Sequence, residues 1–371
     1  MSTPQGSALT RGARGIGGLV CLLLALLGTG WIIRDLSVAQ QPADVWWTWL
    51  GEPRRPREFT AWATCALDPL LVLGALAAAV ASVRDAVAPA VAAGGLFAMA
   101  VGTALLRLPL LWVLGAGWLQ GLDSGLTGQA RLTAIVQLAL SAVLLVVLVA
   151  GRKPAHRPQY ASPGLPRGAQ AAYGVVGRTP HGPTLQRPGG PRKGPAVAAG
   201  WALGVAGAAV AAWEVHWWLG LGWDTYRKGL IGDASVFRAL LQPPVHWQAL
   251  VLALLAVPAA VGAIRRAPWA RPVAMVTGAL LASQGAATLV FAAHTGQLAR
   301  FAVLPAASRL ELGTGALVAV AGLVALTAAA RSGVPAGRTA PGSAAAVYGP
   351  AAGAERPRHA PPPPSTLPPG W

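Results

Sequence analysis

The chain has 371 residues, of which 54% are hydrophobic and 11% are charged, and its formal net charge is +17. Soluble domains carry about 25% charged residues, so this composition argues against an ordinary soluble protein. The positive charge does not indicate a nucleic-acid partner either, because the basic residues cluster between apolar runs. We therefore expect lipid around much of the chain.

Apolar runs long enough to cross a bilayer recur along the chain. A transmembrane helix needs about 20 mainly apolar residues. The sequence predicts spanning helices over residues 16–33, 62–82, 88–112, 132–151, 196–217, 247–264, 272–293 and 313–330. The expected fold is an all-α polytopic membrane protein with about eight transmembrane helices.

The first apolar run has a second interpretation, as a secretory signal peptide. Arg11 and Arg14 precede it, and residues 37–39 form a weak cleavage motif. Residues 31–35 separate the apolar run from that motif, which favours a retained helix.

The predicted helices divide into two similar halves, residues 16–151 and 196–330. Each half has the order helix, long loop, helix, tight turn, helix, shorter loop, helix. When the halves are aligned, Trp31 pairs with Trp213 and Trp62 with Trp247. This pattern predicts an internal duplication of a four-helix unit.

Two polar segments adjoin these halves. Residues 152–195 are basic and rich in Pro and Gly, and residues 331–371 end in a proline-rich run. Neither segment can bury enough apolar surface to fold, so both are predicted to be disordered. The linker suits anionic lipid and the tail suits a proline-recognising protein, but a topology signal and an unstructured end are the favoured interpretations.

Basic residues also predict the orientation. With residues 1–15 in the cytoplasm, the segments 83–87, 152–195, 265–271 and 331–371 are cytoplasmic too and hold most of the Arg and Lys. The positive-inside rule therefore predicts that both termini are cytoplasmic. Arginine far outnumbers lysine, which is typical of GC-rich genomes, so we expect a bacterial plasma membrane.

Tryptophan is concentrated at the outer helix ends and outer loops of this topology. Indole prefers the membrane–water interface, so the sequence predicts a Trp-rich outer face. Residues 233–243 carry apolar side chains at helical spacing and are predicted to form an interfacial helix. The expected interface anchors are Trp31, Trp46, Trp47, Trp62, Trp213, Trp217, Trp218 and Trp247.

Asp68 and Arg107 are charged residues inside predicted helices, where charge is costly and indicates function by default. The two helices are antiparallel neighbours joined by a tight turn, so the side chains are predicted to form an intramembrane ion pair. The pair suits either a proton or cation path or a purely structural contact between helices.

A second set comprises Glu214, His216, His246 and His294, near the predicted outer ends of three helices. Imidazole and carboxylate ligands suit zinc or copper, and histidine pairs ligate haem. The spacing is not diagnostic, and histidine is common at membrane interfaces. The default expectation is no cofactor, with a metal or haem site as the alternative.

Nucleotide-binding, nucleophile-elbow and zinc-protease motifs do not occur in the sequence, so we expect no enzymatic activity. The leading functional prediction is a scaffold or accessory membrane component. One alternative is a secondary transporter or a lipid or small-molecule handler that uses Asp68 and Arg107. Another is a metal- or haem-dependent membrane protein that uses the outer histidines.

Overall fold

The computed structural model describes residues 7–52, 54, 56, 61–119, 121–154 and 193–331. The regular secondary structure of these residues is helical apart from one short antiparallel pairing of β1 (Ser7–Leu9) with β2 (Arg152–Pro154). The helices are α1 (Arg11–Val38), α2 (Pro42–Trp49), α3 (Leu67–Val83), α4 (Pro89–Arg107), α5 (Leu110–Val113), α6 (Ser124–Ala150), α7 (Lys193–Leu221), α8 (Trp223–Ile231), α9 (Val245–Ile264), α10 (Ala270–His294) and α11 (Ala306–Ala330). Single turns of 3₁₀ helix occur at Gly117–Leu119 and Phe301–Val303.

Seven helical stretches in the described residues are long and apolar enough to span a membrane, namely α1, α4 continued by α5, α6, α7, α9, α10 and α11. The remaining predicted span corresponds to α3, which has only 17 residues. The chain is thus an all-α polytopic membrane protein, as the sequence predicted. The predicted disorder of the linker and the C-terminal tail concerns segments that lie almost entirely outside the described residues.

Each half forms a ring of four antiparallel helices. In the first half α1 packs on α3, α3 on α4, α4 on α6, and α6 on α1. In the second half α7 packs on α9, α9 on α10, α10 on α11, and α11 on α7. The order of neighbours is the same in both halves, while their common origin by duplication stays a prediction. We call the end of the bundle with the β1–β2 pair the β end, and the opposite end, which carries α2, the α2 end.

Arginine side chains cap helices at the β end of both halves. Arg14 in the first turn of α1 is buried and donates to three backbone carbonyls at the end of α3, at 2.8 to 3.2 Å. Arg271 at the start of α10 donates to two carbonyls at the end of α11, at 2.7 and 2.8 Å. The last carbonyls of a helix lack intrahelical partners and carry partial negative charge, so a guanidinium stabilises them.

The start of α3 differs from the prediction because residues 61–65 are extended. Asp35, at the end of α1, is fully buried and accepts hydrogen bonds from the N–H groups of Ala63 and Thr64 and from the Thr64 hydroxyl, at 2.6 to 3.1 Å. These bonds satisfy backbone donors that a helix would otherwise have used. Consequently α3 begins at Leu67, and Asp68 lies in its first turn rather than deep within a longer helix.

The prediction of an interfacial helix over residues 233–243 is wrong. These residues form turns and irregular backbone, and the N–H groups of Leu240 and Leu241 donate to the carbonyls of Trp62 and Ala63 at 2.9 and 2.8 Å. The apolar side chains that suggested a helix do not share one face: Val236 is exposed, whereas Leu240 and Leu241 are buried in one cluster with residues of α5 and α6. The second half therefore inserts this loop into the first half. The connection between α7 and α9 does contain a helix, α8, but that helix precedes residues 233–243.

Helices α10 and α11 approach each other along a line of glycines. A Cβ atom on Gly285 would lie 2.4 Å from the Gly315 carbonyl oxygen, and one on Gly322 would lie 2.5 Å from the Ala282 backbone nitrogen. The contacts are with backbone, which cannot move aside as a flexible side chain can. Small residues thus set the spacing of these two helices, as in other membrane bundles.

We predict opposite effects of two glycine substitutions on α11. Gly322→Ala should lower the free energy of unfolding by about 1–3 kcal/mol because its methyl group has no room. Gly313→Ala, at a position with nothing within 4 Å, should leave it unchanged or raise it by up to about 1 kcal/mol through helix propensity. Unfolding in mixed micelles, followed by tryptophan fluorescence, measures both. Equal effects of the two substitutions would contradict this packing.

Candidate functional site

Asp68 and Arg107 form a buried ion pair between the first turn of α3 and the last residue of α4. Nη2 of Arg107 donates to Oδ1 of Asp68, and the other oxygen of Asp68 accepts from the Cys65 N–H at 2.7 Å. Nη1 of Arg107 donates to the carbonyl of Leu241 in the loop from the second half. Both charged residues are 1% exposed. The pair therefore joins α3, α4 and the second half in one contact.

The surroundings of this pair leave little room for a ligand. A cavity of about 10 Å³ adjoins Asp68 and Arg107 and is also lined by Gln137 of α6. Nε of Arg107 and Oε1 of Gln137 have no hydrogen-bond partner among the described residues. This volume is about that of one water probe. Because both oxygens of Asp68 already accept hydrogen bonds, the geometry favours a structural contact.

A much larger cavity, of about 410 Å³, lies at the α2 end of the second half. Helices α7, α9, α10 and α11 surround it, and residues 48–51 and 65–67 of the first half complete its wall. Its volume falls in the range of small-molecule sites, about 300–1,000 Å³. Bundles commonly hold ligands in such a position, between the side chains of facing helices.

Glu214 of α7 is the most deeply buried charged residue on this cavity wall, with 8% of its side chain exposed. Its Oε2 accepts a hydrogen bond of 2.9 Å from the hydroxyl of Tyr226 on α8. Nδ1 of His246, at the start of α9, lies 3.0 Å from the same oxygen but is not aligned for a hydrogen bond. Glu214, Tyr226 and His246 thus form one cluster at the junction of three helices.

Close packing holds this cluster in place. The rings of Tyr226 and His246 stack with their centroids 4.4 Å apart. Helix α8 approaches so closely that a Cβ on Gly229 would lie 2.2 Å from Cδ2 of His246. Burial, together with the hydrogen bond to Glu214, raises the pKa of Tyr226 to about 12. The hydroxyl therefore stays protonated and remains a donor at physiological pH.

Aromatic and polar side chains complete the cavity wall. The amide of Gln248 donates to Oε1 of Gln284 at 2.6 Å, which links α9 to α10 across the wall. The wall also includes the rings of Trp49, Trp213, Trp217 and Phe291, the hydroxyls of Thr288 and Thr314, and the charged residues Glu311 and Arg238. The cavity therefore combines apolar rings with a few directed polar groups, as ligand sites usually do.

The four predicted metal ligands occupy three separate places. Glu214 and His246 meet as described, whereas His216 is exposed and packs edge-on against Trp213 at a centroid distance of 5.0 Å. His294 lies with Nε2 at 3.0 Å from Glu52 and stacks on Trp47. Within the described ranges, no group of three or more His, Cys, Asp or Glu is placed to hold one metal ion. The metal or haem site stays a prediction without geometric support.

The predicted tryptophan anchors have different environments. The indole N–H of Trp31 donates to Thr133 at 3.1 Å, that of Trp62 to the Arg54 carbonyl at 2.7 Å, and that of Trp247 to the Leu105 carbonyl at 2.8 Å. Trp213 and Trp217 line the large cavity, while Trp46 and Trp218 are exposed. Several of these side chains therefore contribute to internal packing, and a common interfacial role stays a prediction.

Sequence reasoning missed several residues of this site. Gln248 and Gln284 are polar residues inside predicted spans, and that position is a signal that could have identified them. Tyr226 and Arg238 lie between the predicted spans 196–217 and 247–264, where the path of the chain depends on tertiary contacts, so the sequence carries no comparable signal for them. Glu311 precedes the predicted start of the last span, at residue 313.

Comparison with known proteins gives no relative from which a role can be transferred. No protein-family model, curated protein or solved structure matches the chain. The functional inference therefore rests on the geometry of these residues.

We predict that the Asp68–Arg107 pair contributes mainly to stability. Asp68→Asn should lower the free energy of unfolding by about 3–5 kcal/mol, because it leaves the Arg107 charge buried without a counter-ion. Asp68→Leu combined with Arg107→Met should cost less than the sum of the two single changes. Unfolding in mixed micelles measures these differences.

Asp85→Asn is the matched control, since Asp85 forms an exposed ion pair of 3.8 Å with Arg11. It should have no measurable effect on unfolding. Additive effects at positions 68 and 107, or a control as damaging as Asp68→Asn, would refute the structural role.

Proposed function

We propose that this protein binds a small molecule in the cavity at the α2 end of its second half. The observation that carries the proposal is the open cavity of about 410 Å³ lined by four helices of one bundle. A void of this size lined only by apolar groups would have no means of orienting a ligand. Here a buried carboxylate, two amides and several aromatic rings converge on it, which supports specific binding.

Asp68 and Arg107, which the sequence suggested for small-molecule handling, do not bind the ligand in this proposal. Their polar atoms bind each other, Cys65 and Leu241, and the adjoining cavity is too small for anything larger than water. In the second half, by contrast, Glu214 has one oxygen without a hydrogen-bond partner among the described residues. The two halves therefore have different tasks in this proposal: the first supports the structure and the second binds.

The scaffold prediction depended on the Trp-rich outer face and on residues 152–195 and 331–371, and these two segments lie outside the described residues apart from a few at their edges. No contact in the described part of the chain supports docking there. We therefore place small-molecule binding first, without assigning a catalytic step to it.

We further propose that the β end is cytoplasmic and that the cavity opens on the outer side of a bacterial plasma membrane. The turns at the β end carry Arg84, Arg265 and Arg266, and the arginine caps Arg14 and Arg271 lie beside them. Positive residues in short loops are retained in the cytoplasm, which supports this orientation. A ligand would then reach the site without crossing the membrane.

Ala287→Phe should abolish ligand binding because Ala287 lines the cavity from α10 and a phenyl group would occupy it. The neighbouring Ala286 is exposed and does not line the cavity, so Ala286→Phe is the matched control. The probes are 4-phenylbutylammonium, 4-phenylbutanol and 4-phenylbutyrate, which share one apolar body and differ in charge. Calorimetry on the full chain in nanodiscs measures saturable binding.

We expect at least one of these probes to bind the wild type and the Ala286→Phe variant and not the Ala287→Phe variant. Thermal unfolding checks that both variants are folded. If no probe shows saturable binding, or if Ala287→Phe leaves it unchanged, the proposed function is wrong.

A further inference from the structure

We infer that the ligand of this cavity is an organic cation, an amine or quaternary ammonium whose charge binds Glu214. The inference rests on the proposed function and specifies the chemical class of its ligand. Three observations support it: the incomplete hydrogen bonding of Glu214, the charges on the cavity wall, and the aromatic rings beside them. Other classes of ligand also fit this wall less well.

Glu214 is a buried carboxylate whose neighbours leave it incompletely satisfied. It receives one hydrogen bond from the neutral hydroxyl of Tyr226, at Oε2. Its Oε1 has no hydrogen-bond partner among the described residues, and the residue lines the cavity. An ionised carboxylate removed from water is costly unless a positive charge or several donors compensate it. A cationic ligand would supply the missing donor and the missing charge together.

The remaining charges on the described wall do not cancel this one. Glu311 of α11 adds a second carboxylate, on an exposed position. Arg238 is the arginine of the wall; it is exposed, and its Nη1 donates to the Gly51 carbonyl at 3.4 Å. Counted without the imidazole of His246, the described wall has two carboxylates and one arginine, which is an excess of negative charge. Such a site attracts cations and repels anions.

Aromatic rings lie on the same side of the cavity as Glu214. Trp213 and Trp217 flank it on α7, one turn apart, with ring centroids 5.7 Å from each other. Residues at this spacing share one helix face. Trp49 and Phe291 contribute two more rings to the wall. Indole faces attract ammonium groups, and cavities that combine several rings with a carboxylate are suited to quaternary ammonium ligands.

Other ligand classes fit these residues less well. An anion would meet two carboxylates, and a neutral lipid or alcohol would leave Glu214 without a counter-charge. A metal ion lacks a third ligand, since the described residues bring only Glu214 and His246 together. The amides of Gln248 and Gln284 and the hydroxyls of Thr288 and Thr314 suit an uncharged polar end of the ligand.

The same three probes test this inference, at pH 8. We expect 4-phenylbutylammonium to bind the wild type about tenfold or more tightly than 4-phenylbutanol, and 4-phenylbutyrate to bind most weakly. Glu214→Gln keeps the side-chain volume and an acceptor for Tyr226 but removes the charge. In this variant the ammonium probe should lose its advantage over the alcohol. Glu311→Gln, at the exposed carboxylate, should change the ratio much less.

The outcomes of this experiment distinguish failure of the cation inference from failure of the proposed function. If the alcohol or the carboxylate binds as tightly as the ammonium and Ala287→Phe removes that binding, the cavity is a ligand site and the cation inference is wrong. If no probe binds, both are wrong. The ratio measured on the wild type decides between these results even if Glu214→Gln does not fold. Equal losses from Glu214→Gln and Glu311→Gln would show a diffuse negative potential and contradict a positioned counter-ion.

Discussion

The guanidinium of Arg107 lies where α4, the first turn of α3 and the loop from the second half meet. Its contact with the Leu241 carbonyl lies beside the hydrogen bonds that join this loop to residues 62–63. Two prolines then lead directly into α9, whose first turns carry His246 and Gln248 to the cavity wall. A buried charge pair in one half thus anchors the loop that precedes a cavity-lining helix of the other half. The high desolvation cost of separating the pair makes this junction specific.

The two halves share an order of helices but use their polar residues differently. In the first half, Asp35 is bonded to backbone groups, Asp68 and Arg107 are bonded to each other and to backbone groups, and the cavity beside this pair is small. In the second half, Glu214, Gln248 and Gln284 surround a large cavity. Residues 48–51 and 65–67 of the first half complete the wall of that cavity. The site therefore belongs to the whole chain, although the proposed ligand contacts come mainly from the second half.

The helices were predictable because a run of about 20 apolar residues has few alternatives in lipid. The proximity of Asp68 and Arg107 followed from two antiparallel neighbours joined by a tight turn. The non-helical segments at 61–65 and 239–244 were not predictable, since backbone groups of each pair with partners far away in the sequence. The helical spacing of Val236, Phe237, Leu240 and Leu241 was misleading for the same reason. Tyr226 and the cavity depend on how α8 folds back over α7 and α9, which no local pattern records.

The glycine line between α10 and α11 also constrains the proposed ligand site. Gly285 and Gly315 belong both to this contact and to the cavity wall. A larger side chain at either position would narrow the cavity and push the two helices apart in the same step. Mutational drift of the proposed site toward another ligand size would therefore be constrained on this side. Changes in its selectivity that preserve the bundle would arise on α7 and α9, whose side chains also line the wall.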